Sequence, residues 1–145
     1  MAITVAFDLE AWQLDAISAF TNSLLDETVY CDFPDGFGQD RSCILLLRAL
    51  YGLSRSPLLW LRELSHTLRG LGLTQVGEDL CLFTNDYLVV FFYVDDIVLL
   101  SQMKDLQKLK QFCEMLMNQY EMRDYGELNW FLGIRVIHDY PNQKL

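Results

Sequence analysis

Three aspartates lie inside apolar stretches of this sequence, where a carboxylate is costly. Asp95 and Asp96 are adjacent in FFYVDDIVLL, and Asp15 has apolar neighbours in WQLDAISAF. Neighbouring carboxylates repel each other and lose hydration beside a hydrophobic core. Neither stretch contains a Lys or Arg that could neutralise them. Clustered carboxylates without a basic partner are the ligands that a hard divalent cation requires, so the residue types indicate a metal site.

The chemistry of such a site would be phosphoryl or nucleotidyl transfer. Two ions about 4 Å apart can activate an attacking hydroxyl and stabilise a leaving oxygen. The alternative is that Asp95 and Asp96 are ordinary turn residues, because Asp is common in turns. Both flanking runs are apolar, which favours a turn at the edge of a buried sheet over one on a solvated ribbon. The residues alone leave both interpretations open.

Strands are required to position these carboxylates. The stretch CLFTNDYLVVFFYVDDIVLLS predicts three strands, with one turn at Asn85 and Asp86 and the next at Asp95 and Asp96. The run around Asp15 is extended in character, and a place beside this strand pair would unite the three acids. Further strands are predicted at VYCDF and, as the last element, at LNWFLGIRVIHD.

Two helices are predicted between and after these strands. In SRSPLLWLRELSHTLRGLGL, Ser56 is placed to cap the helix, Pro57 occupies its first turn, and Gly70 or Gly72 ends it. KDLQKLKQFCEMLMNQYEM has the apolar spacing of an amphipathic helix. Antiparallel strand pairs mixed with helices predict the α+β class.

Composition limits the functions that the chain can perform unaided. The 145 residues fit one domain or a piece of a larger one, and 52% are hydrophobic, so a sizeable core is expected. The net charge of −9 is uneven, since residues 1–40 contain eight acids and no Lys or Arg. Such a surface repels phosphate backbones and anionic membranes.

The cysteines and the N-terminus indicate an intracellular protein. The four cysteines form no CxxC pair and have no zinc-ligand spacing with either His, which favours free thiols in a reducing compartment. The first residues lack the basic region of a signal peptide. The longest apolar run, residues 87–100, is interrupted by two acids and is too short to span a bilayer.

Four motifs occur in an order that resembles one family. QLDAISAFTNSLLDETVYCDFPDGF, ALYGLSRSPLLW, YVDD and YGELNWFLGIRV resemble, in this order, the reverse transcriptase of copia-type LTR retrotransposons. The resemblance covers nearly the whole chain from about residue 5 onward. It implies an α+β fold in which a polymerase palm-like antiparallel sheet packs on helices, with part of the fingers. It also implies two-metal addition of dNTPs to a primer 3′-hydroxyl on an RNA or DNA template.

The resemblance assigns roles to individual residues. Asp15, Asp95 and Asp96 match the catalytic aspartates, which would hold two Mg²⁺ ions, with Mn²⁺ as a possible substitute. Phe20 matches the aromatic residue beneath the incoming sugar; the alternative is an ordinary core Phe.

The nucleotide side of the expected site is formed by a second set of residues. Tyr51 and Gly52 match positions closest to the nucleotide, since Gly permits close backbone approach. Arg55 is assigned to the same side, with a solvated surface arginine as the alternative. The chain departs from the family here, because Ser54 stands where a lysine is common and Arg55 where glutamine is. Trp60 matches an aromatic on the following helix and is expected in the core.

The extent of the resemblance leaves two functional hypotheses. Residues 1–145 match a partial reverse transcriptase domain, with the upstream fingers, the thumb and the RNase H domain absent. The chain is therefore either the catalytic palm segment of a longer polyprotein or a truncated, non-catalytic relic with at most metal- or protein-binding capacity. It is uncertain as an enzyme and is expected to be inactive as an isolated fragment.

The same resemblance sets the expected partners and location. Template-primer and dNTP are expected in the full-length context, weak nucleic-acid binding for the acidic fragment alone, and no membrane association. Loss of neighbouring segments would expose apolar sheet surface, so self-association is also expected. The location implied is cytoplasmic, within a virus-like particle, or nuclear.

Overall fold

The computed structural model describes residues 9–34, 36 and 43–136. The strands in this part of the chain are β1 (Leu9–Ala16), β2 (Leu24–Asp32), β3 (Cys43–Arg48), β4 (Thr74–Gln75), β5 (Leu82–Thr84), β6 (Leu88–Tyr93), β7 (Asp96–Gln102), β8 (Met122–Glu127), β9 (Trp130–Phe131) and β10 (Ile134–Arg135). The helices are α1 (Ser56–Gly70) and α2 (Leu106–Met117), with short 3₁₀ helices at Ala19–Asn22 and Met103–Asp105.

A six-stranded antiparallel sheet organises the fold. Its strand order is β4-β5-β6-β7-β1-β8, so the first strand of the described chain lies between two strands from its second half. The two helices and the antiparallel pairing agree with the predicted α+β class.

The two faces of this sheet are covered differently. One face contributes Leu14 and Ile97 to the main core, where they join residues of both helices such as Leu64 and Phe112. Side chains alternate between the faces of a strand, so the residues between these point the other way. The opposite face bears a smaller apolar cluster of Leu9, Ala11, Val98, Leu100 and Leu128. The helices therefore pack on one face only.

The segment β2–β3 forms a separate two-stranded ribbon. Large apolar side chains are exposed on both of its strands: Leu24, Tyr30, Leu45 and Leu47. A two-stranded ribbon buries little surface, and isolated ribbons are marginally stable at best in water.

The predicted hairpins are present, but one turn is shifted. The three strands expected in residues 81–101 correspond to β5, β6 and β7, and the turn at Asn85 and Asp86 is confirmed. Asn85 supports that turn because its side-chain oxygen accepts hydrogen bonds from the backbone N–H groups of Tyr87 and Leu88. The second turn consists of Val94 and Asp95, since Tyr93 pairs with Asp96. Asp96 is therefore a strand residue, which corrects the prediction.

Two other local predictions are wrong. Ser56 does not cap α1: its hydroxyl donates to the carbonyl of Leu50 at 2.6 Å, and Arg55 occupies the N-cap without a side-chain bond. The stretch predicted as one last strand is a tight hairpin of β9 and β10. Its turn contains Leu132 and Gly133, both with positive φ, a backbone that a continuous strand does not allow. Residues 137–139 of that stretch lie outside the described part.

No helix among residues 9–34 and 43–136 combines the length and apolar character that crossing a membrane requires.

Candidate active site

Strand pairing brings the three aspartates of the sequence prediction together. Asp15 on β1 is the direct register partner of Asp96 on β7. Asp95 precedes Asp96 in the turn, and its carbonyl accepts a 2.9 Å hydrogen bond from the backbone N–H of Ala16. Side chains directly opposite each other in an antiparallel pair have Cβ atoms about 5 Å apart. Asp15 and Asp96 therefore lie side by side at the same end of two central strands.

These carboxylates lie on the sheet face that the helices leave open. Leu14 and Ala16, the neighbours of Asp15, and Ile97, the neighbour of Asp96, belong to the helix-side core. Alternation along each strand places Asp15 and Asp96 on the other face, in line with the apolar cluster that contains Val98. This arrangement answers how charged groups occur in apolar stretches, because the strands bury one face and leave the carboxylates partly accessible on the other.

The clustering has an electrostatic consequence. Burial raises the pKa of Asp15 above its usual 3.8, and the negative charges of Asp95 and Asp96 raise it further. The positive charge of Arg123 acts in the opposite direction without cancelling these effects. The site thus carries an excess of negative charge that a cation would relieve.

Two residues near the carboxylates were missed by the sequence analysis. Arg123 on β8 is the register partner of Asp15 on the side away from Asp96. Gln13, only 8% exposed, donates from its side-chain amide to one carboxylate oxygen of Asp96 at 2.9 Å. Arg123 is distant in sequence, so no local signal identifies it. Gln13 precedes Asp15 by two residues, and strand alternation alone could have placed it on the same face.

Phe20 and Tyr51, both predicted near the nucleotide, are in contact. Their ring centroids are 4.4 Å apart, and the rings are tilted by 45°. Phe20 is 7% exposed and Tyr51 is 57% exposed, so Phe20 supports the more accessible ring. Burial raises the pKa of the Tyr51 phenol, and the charges of Asp95 and Asp15 raise it further. Tyr51 therefore lies within the electrostatic field of the aspartates.

Gly52 has a conformational role at this position. Its φ is +99°, and a Cβ added there would have no heavy atom within 4 Å. No other described residue approaches the Gly52 backbone closely enough to require a glycine, which was the expected explanation. The structure explains the glycine by its positive φ, because L side chains rarely adopt this backbone conformation.

Arg55, also predicted on the nucleotide side, pairs with Asp26 on β2. Its guanidinium donates to both carboxylate oxygens of Asp26, at 2.9 and 2.7 Å, and Arg62 lies 3.8 Å from the same carboxylate. The hydrogen bond from Arg55 holds the pKa of Asp26 below its usual value. The positive charge that acts on Asp15 is that of Arg123. The ion pair connects the start of α1 to β2. Because the Arg55 side chain is 43% exposed, it agrees with the alternative of a surface arginine, and its assignment to the nucleotide side stays a prediction.

The turn that carries Asp95 is attached to α1 through Trp60. This tryptophan is 1% exposed, as expected for a core residue, and its indole N–H donates to the carbonyl of Val94 at 2.6 Å. Val94 has a φ of +56°, which is unusual for a β-branched residue.

The carboxylates do not form a complete metal cage by themselves. In the part of the chain that the structure describes, no group of three or more His, Cys, Asp or Glu side chains is arranged to hold a metal ion. A site of this kind would need ligands from a substrate or solvent in addition to the protein.

Comparison with known proteins identifies the family. A family model described as "Reverse transcriptase (RNA-dependent DNA polymerase)" matches residues 1–145. The chain belongs to this reverse transcriptase family. The assignment made from the four sequence motifs is therefore confirmed at the family level.

Relatives of this reverse transcriptase chain are retrotransposon polyproteins. It is 27% identical over 154 residues to the retrovirus-related Pol polyprotein from transposon TNT 1-94 of Nicotiana tabacum, an alignment that covers 100% of the chain and 11% of the polyprotein. It is 33% identical over 131 residues to the corresponding polyprotein from transposon RE1 of Arabidopsis thaliana, covering 86% of the chain and 9% of the polyprotein.

A shorter relative is found in yeast. The chain is 34% identical over 133 residues to a transposon Ty5-1 protein of Saccharomyces cerevisiae, covering 85% of the chain and 42% of that protein. The reverse transcriptase chain thus spans less than half the length of each of these relatives. No solved structure gives a significant match.

Proposed function

We propose that this chain is the palm segment, with part of the fingers, of a retrotransposon reverse transcriptase that adds dNTPs to a primer 3′-hydroxyl. The observation that carries the proposal is the pairing of Asp15 with Asp96 across two central strands, with Asp95 in the adjoining turn. In this assignment the six-stranded sheet is the palm and the β2–β3 ribbon belongs to the fingers. The face that the helices leave open receives the primer and the nucleotide.

The residues present fit a divalent cation. Asp15, Asp95 and Asp96 supply oxygen ligands. Burial and the charges of the other two aspartates raise the pKa of Asp15, which indicates that the negative charge of the group is not fully neutralised by the protein. The incomplete cage agrees with magnesium chemistry, because Mg²⁺ is usually held by one or two carboxylates together with waters and substrate phosphates. Asp15, Asp95 and Asp96 would hold two Mg²⁺ ions, and Mn²⁺ can replace them.

Bound cations would lower the pKa of the primer hydroxyl and neutralise charge on the departing pyrophosphate. The reaction forms a bond between the primer 3′-oxygen and the α-phosphorus and breaks the bond from that phosphorus to pyrophosphate. The protein contributes mainly position and electrostatics, so no side-chain nucleophile is needed. Gln13 orients Asp96 through its 2.9 Å hydrogen bond and leaves the second carboxylate oxygen available.

The contact between Phe20 and Tyr51 supplies a surface for the sugar. An aromatic ring at this position would exclude a 2′-hydroxyl by its bulk, which would favour deoxynucleotides over ribonucleotides. Tyr51 is exposed and Phe20 supports it from below, so the two act as one unit. Tyr51 therefore contacts the nucleotide in this proposal, and Phe20 limits its position.

Activity is proposed for the longer Pol protein, of which this chain corresponds to a part. The aligned region covers 9–42% of the relatives' length, and the chain has a net charge of −9. Binding of a template-primer requires a positively charged surface, because affinity for nucleic acid depends on Lys and Arg side chains that neutralise its phosphates. Fingers, thumb and RNase H segments of the longer protein would supply that surface.

Primer extension with Mg²⁺ or Mn²⁺ tests the proposal, in the 145-residue chain and in a longer Pol protein that contains it. Asp95→Asn should lower the rate of primer extension by the longer protein about a hundredfold or more, because an essential charge is removed. Asp86→Asn is the matched control: it is the same substitution in the exposed turn between β5 and β6, and it should leave the rate unchanged. Equal activity of Asp95→Asn and wild type would contradict the proposal.

The second candidate function is a non-catalytic relic of the same domain. It is favoured by the net charge of −9 and by the absence, within the described ranges, of a ready-made three-acid group. A relic predicts no extension by the longer protein under any metal condition, with Asp95→Asn indistinguishable from wild type. Calorimetric binding of Mn²⁺ to the chain would then show whether metal binding survives.

A further inference from the structure

The turn that presents Asp95 has an unfavourable backbone. It has two residues, Val94 and Asp95, because Tyr93 and Asp96 are paired. Val94 is the turn residue with positive φ, at +56°. Gly and Asn are the residues that usually occupy such a position, whereas a β-branched side chain is disfavoured there. The turn therefore needs an interaction from outside the hairpin to keep this conformation.

Trp60 supplies that interaction from α1. Its indole N–H donates to the carbonyl of Val94 at 2.6 Å, and the side chain is 1% exposed. A buried Trp N–H requires an acceptor, so the bond satisfies the indole as well as the turn. Because the residues are far apart in sequence, this bond links a helix to the tip of a hairpin.

The bond fixes the peptide plane in front of Asp95. The carbonyl of Val94 and the N–H of Asp95 belong to the same rigid plane. The following plane is fixed too, since the carbonyl of Asp95 accepts a 2.9 Å bond from Ala16 on β1. The Cα atom of Asp95 is thus held between two anchored planes, one attached to α1 and one to β1. The direction of its Cα–Cβ bond follows from both.

Trp60 is itself held in place on the side away from the hairpin. Its ring makes an edge contact with Tyr120, with centroids 5.2 Å apart. The hydroxyls of Tyr120 and Thr67 are 2.5 Å apart and hydrogen-bonded. The indole is therefore confined by aromatic packing in addition to its bond to the hairpin.

We propose that Trp60 is a positioning residue for Asp95, in which the indole N–H holds the Val94–Asp95 peptide plane and so fixes the Cα–Cβ direction from which the Asp95 carboxylate extends. The inference rests on the function proposed above for the three aspartates. It goes beyond that function by assigning to a residue expected only in the core a defined effect on the metal-binding group.

Amide hydrogen exchange in the 145-residue chain tests the anchoring without any metal. Trp60→Phe keeps the ring and removes the N–H. It should accelerate exchange of the Ala16 amide about fivefold, since one hydrogen bond of the turn is lost. The Leu128 amide donates to the carbonyl of Ala11, which lies on β1 like Ala16. It is the internal reference, and its exchange rate should not change. Equal acceleration at Ala16 and Leu128 would contradict local anchoring.

Tyr120→Phe is the matched control. It removes a buried hydroxyl from the same aromatic cluster without touching the turn. It should change exchange at Ala16 no more than at Leu128. A selective effect at Ala16 equal to that of Trp60→Phe would show that general loosening of the cluster, and not the indole bond, controls the hairpin.

A second variant tests the connection to the unfavourable turn backbone. Asn adopts positive φ more readily than Val, so Val94→Asn should reduce the need for an outside anchor. In that background Trp60→Phe should change Ala16 exchange by less than about twofold, below the effect of one hydrogen bond. An undiminished effect in both backgrounds would contradict the proposed role of the bond.

Mn²⁺ binding, measured by electron paramagnetic resonance, connects the anchor to the site. Trp60→Phe should weaken binding about fivefold, and Tyr120→Phe should leave it unchanged. A Trp60→Phe variant that binds Mn²⁺ as tightly as wild type would overturn the positioning role. Wild-type protein that binds no Mn²⁺ even with dNTP present would instead overturn the proposed metal-binding role of the three aspartates, and the exchange result distinguishes the two failures.

Discussion

At the scale of single residues, Asp15 carries an electrostatic cost in the folded chain. Burial and the charges of Asp95 and Asp96 raise the pKa of Asp15 above 3.8. A carboxyl group whose pKa is raised by folding is less stable as an anion in the folded state than in the unfolded one. The cost is absent below pH 3.8, where Asp15 is protonated in both states. It grows as pH rises from 3.8 to the raised folded-state pKa and is complete above that pKa.

Asp15→Asn should therefore stabilise the chain at pH 7 in the absence of divalent cations. We expect a Tm increase of about 1–2 °C, a modest effect because the carboxyl is accessible to solvent and screened by it. The difference should disappear as pH falls below 3.8, where the wild-type group is neutral too. Thermal unfolding followed by circular dichroism at pH 7 and pH 3.5 measures both values.

The control for this prediction is Asp86→Asn, which makes the same change in net charge at the exposed turn between β5 and β6. It should leave the Tm unchanged at pH 7. A gain equal to that of Asp15→Asn would attribute the stabilisation to net charge alone. Saturating Mg²⁺ should reverse the order, because cation binding stabilises the wild type and not the variant.

The residues of the site differ in how visible they are to sequence analysis. The three aspartates could be predicted because acids are unusual within apolar runs, and the fold brings them to one end of the β1–β7 pair. Arg123 could not, since only the pairing of β1 with β8 places it beside Asp15. Arg55 was assigned by position in a motif, but its charge is engaged by Asp26, whose location depends on the packing of α1 against β2.

At the scale of elements, the insertion of β1 between β7 and β8 creates the site. The strands of the β6–β7 hairpin are neighbours in sequence, and their pattern predicts them directly. The place of β1 depends on long-range pairing, for which the sequence gives no local signal. The shifted turn and the β9–β10 hairpin were missed for a related reason, because Val94 and Leu132 adopt positive φ that their side chains disfavour.

The segment between β3 and α1 depends on Gly52 in a way that can be tested. With φ at +99°, Gly52→Ala should destabilise the chain by more than about 1 kcal/mol, although the Cβ has free space. It should also disturb the contact between Tyr51 and Phe20, since the strain acts on the residue next to Tyr51. Chemical denaturation measures the first effect, and tyrosine ring shifts in NMR spectra measure the second.

Gly70→Ala provides the comparison. Gly70 ends α1, lacks a positive φ and also has open space around a Cβ. Ala favours helix over Gly by up to about 1 kcal/mol, so this variant should be neutral or more stable. Equal destabilisation by both substitutions would show that the backbone of Gly52 is not the cause.

At the scale of the whole molecule, neither the charge nor the exposed apolar surface suits a stand-alone polymerase. The net charge of −9 opposes contact with phosphates, while the β2–β3 ribbon exposes large apolar side chains. Exposed apolar surface of this kind usually marks an interface. In the longer Pol protein, neighbouring segments are the expected cover for the ribbon. For the isolated 145-residue chain, a second copy of the same chain is the available cover for the ribbon.

We therefore expect reversible self-association of the isolated chain through the ribbon. Leu47 on β3 is 71% exposed, so Leu47→Thr should weaken association about tenfold without altering net charge or strand propensity. Met103→Thr removes an apolar side chain that is 60% exposed on another element and should have no effect. Sedimentation equilibrium of both variants measures the dissociation constants. Association that is weakened equally by the two substitutions would assign it to general hydrophobicity, and a monomeric wild type would show that the ribbon is stable in water without a partner.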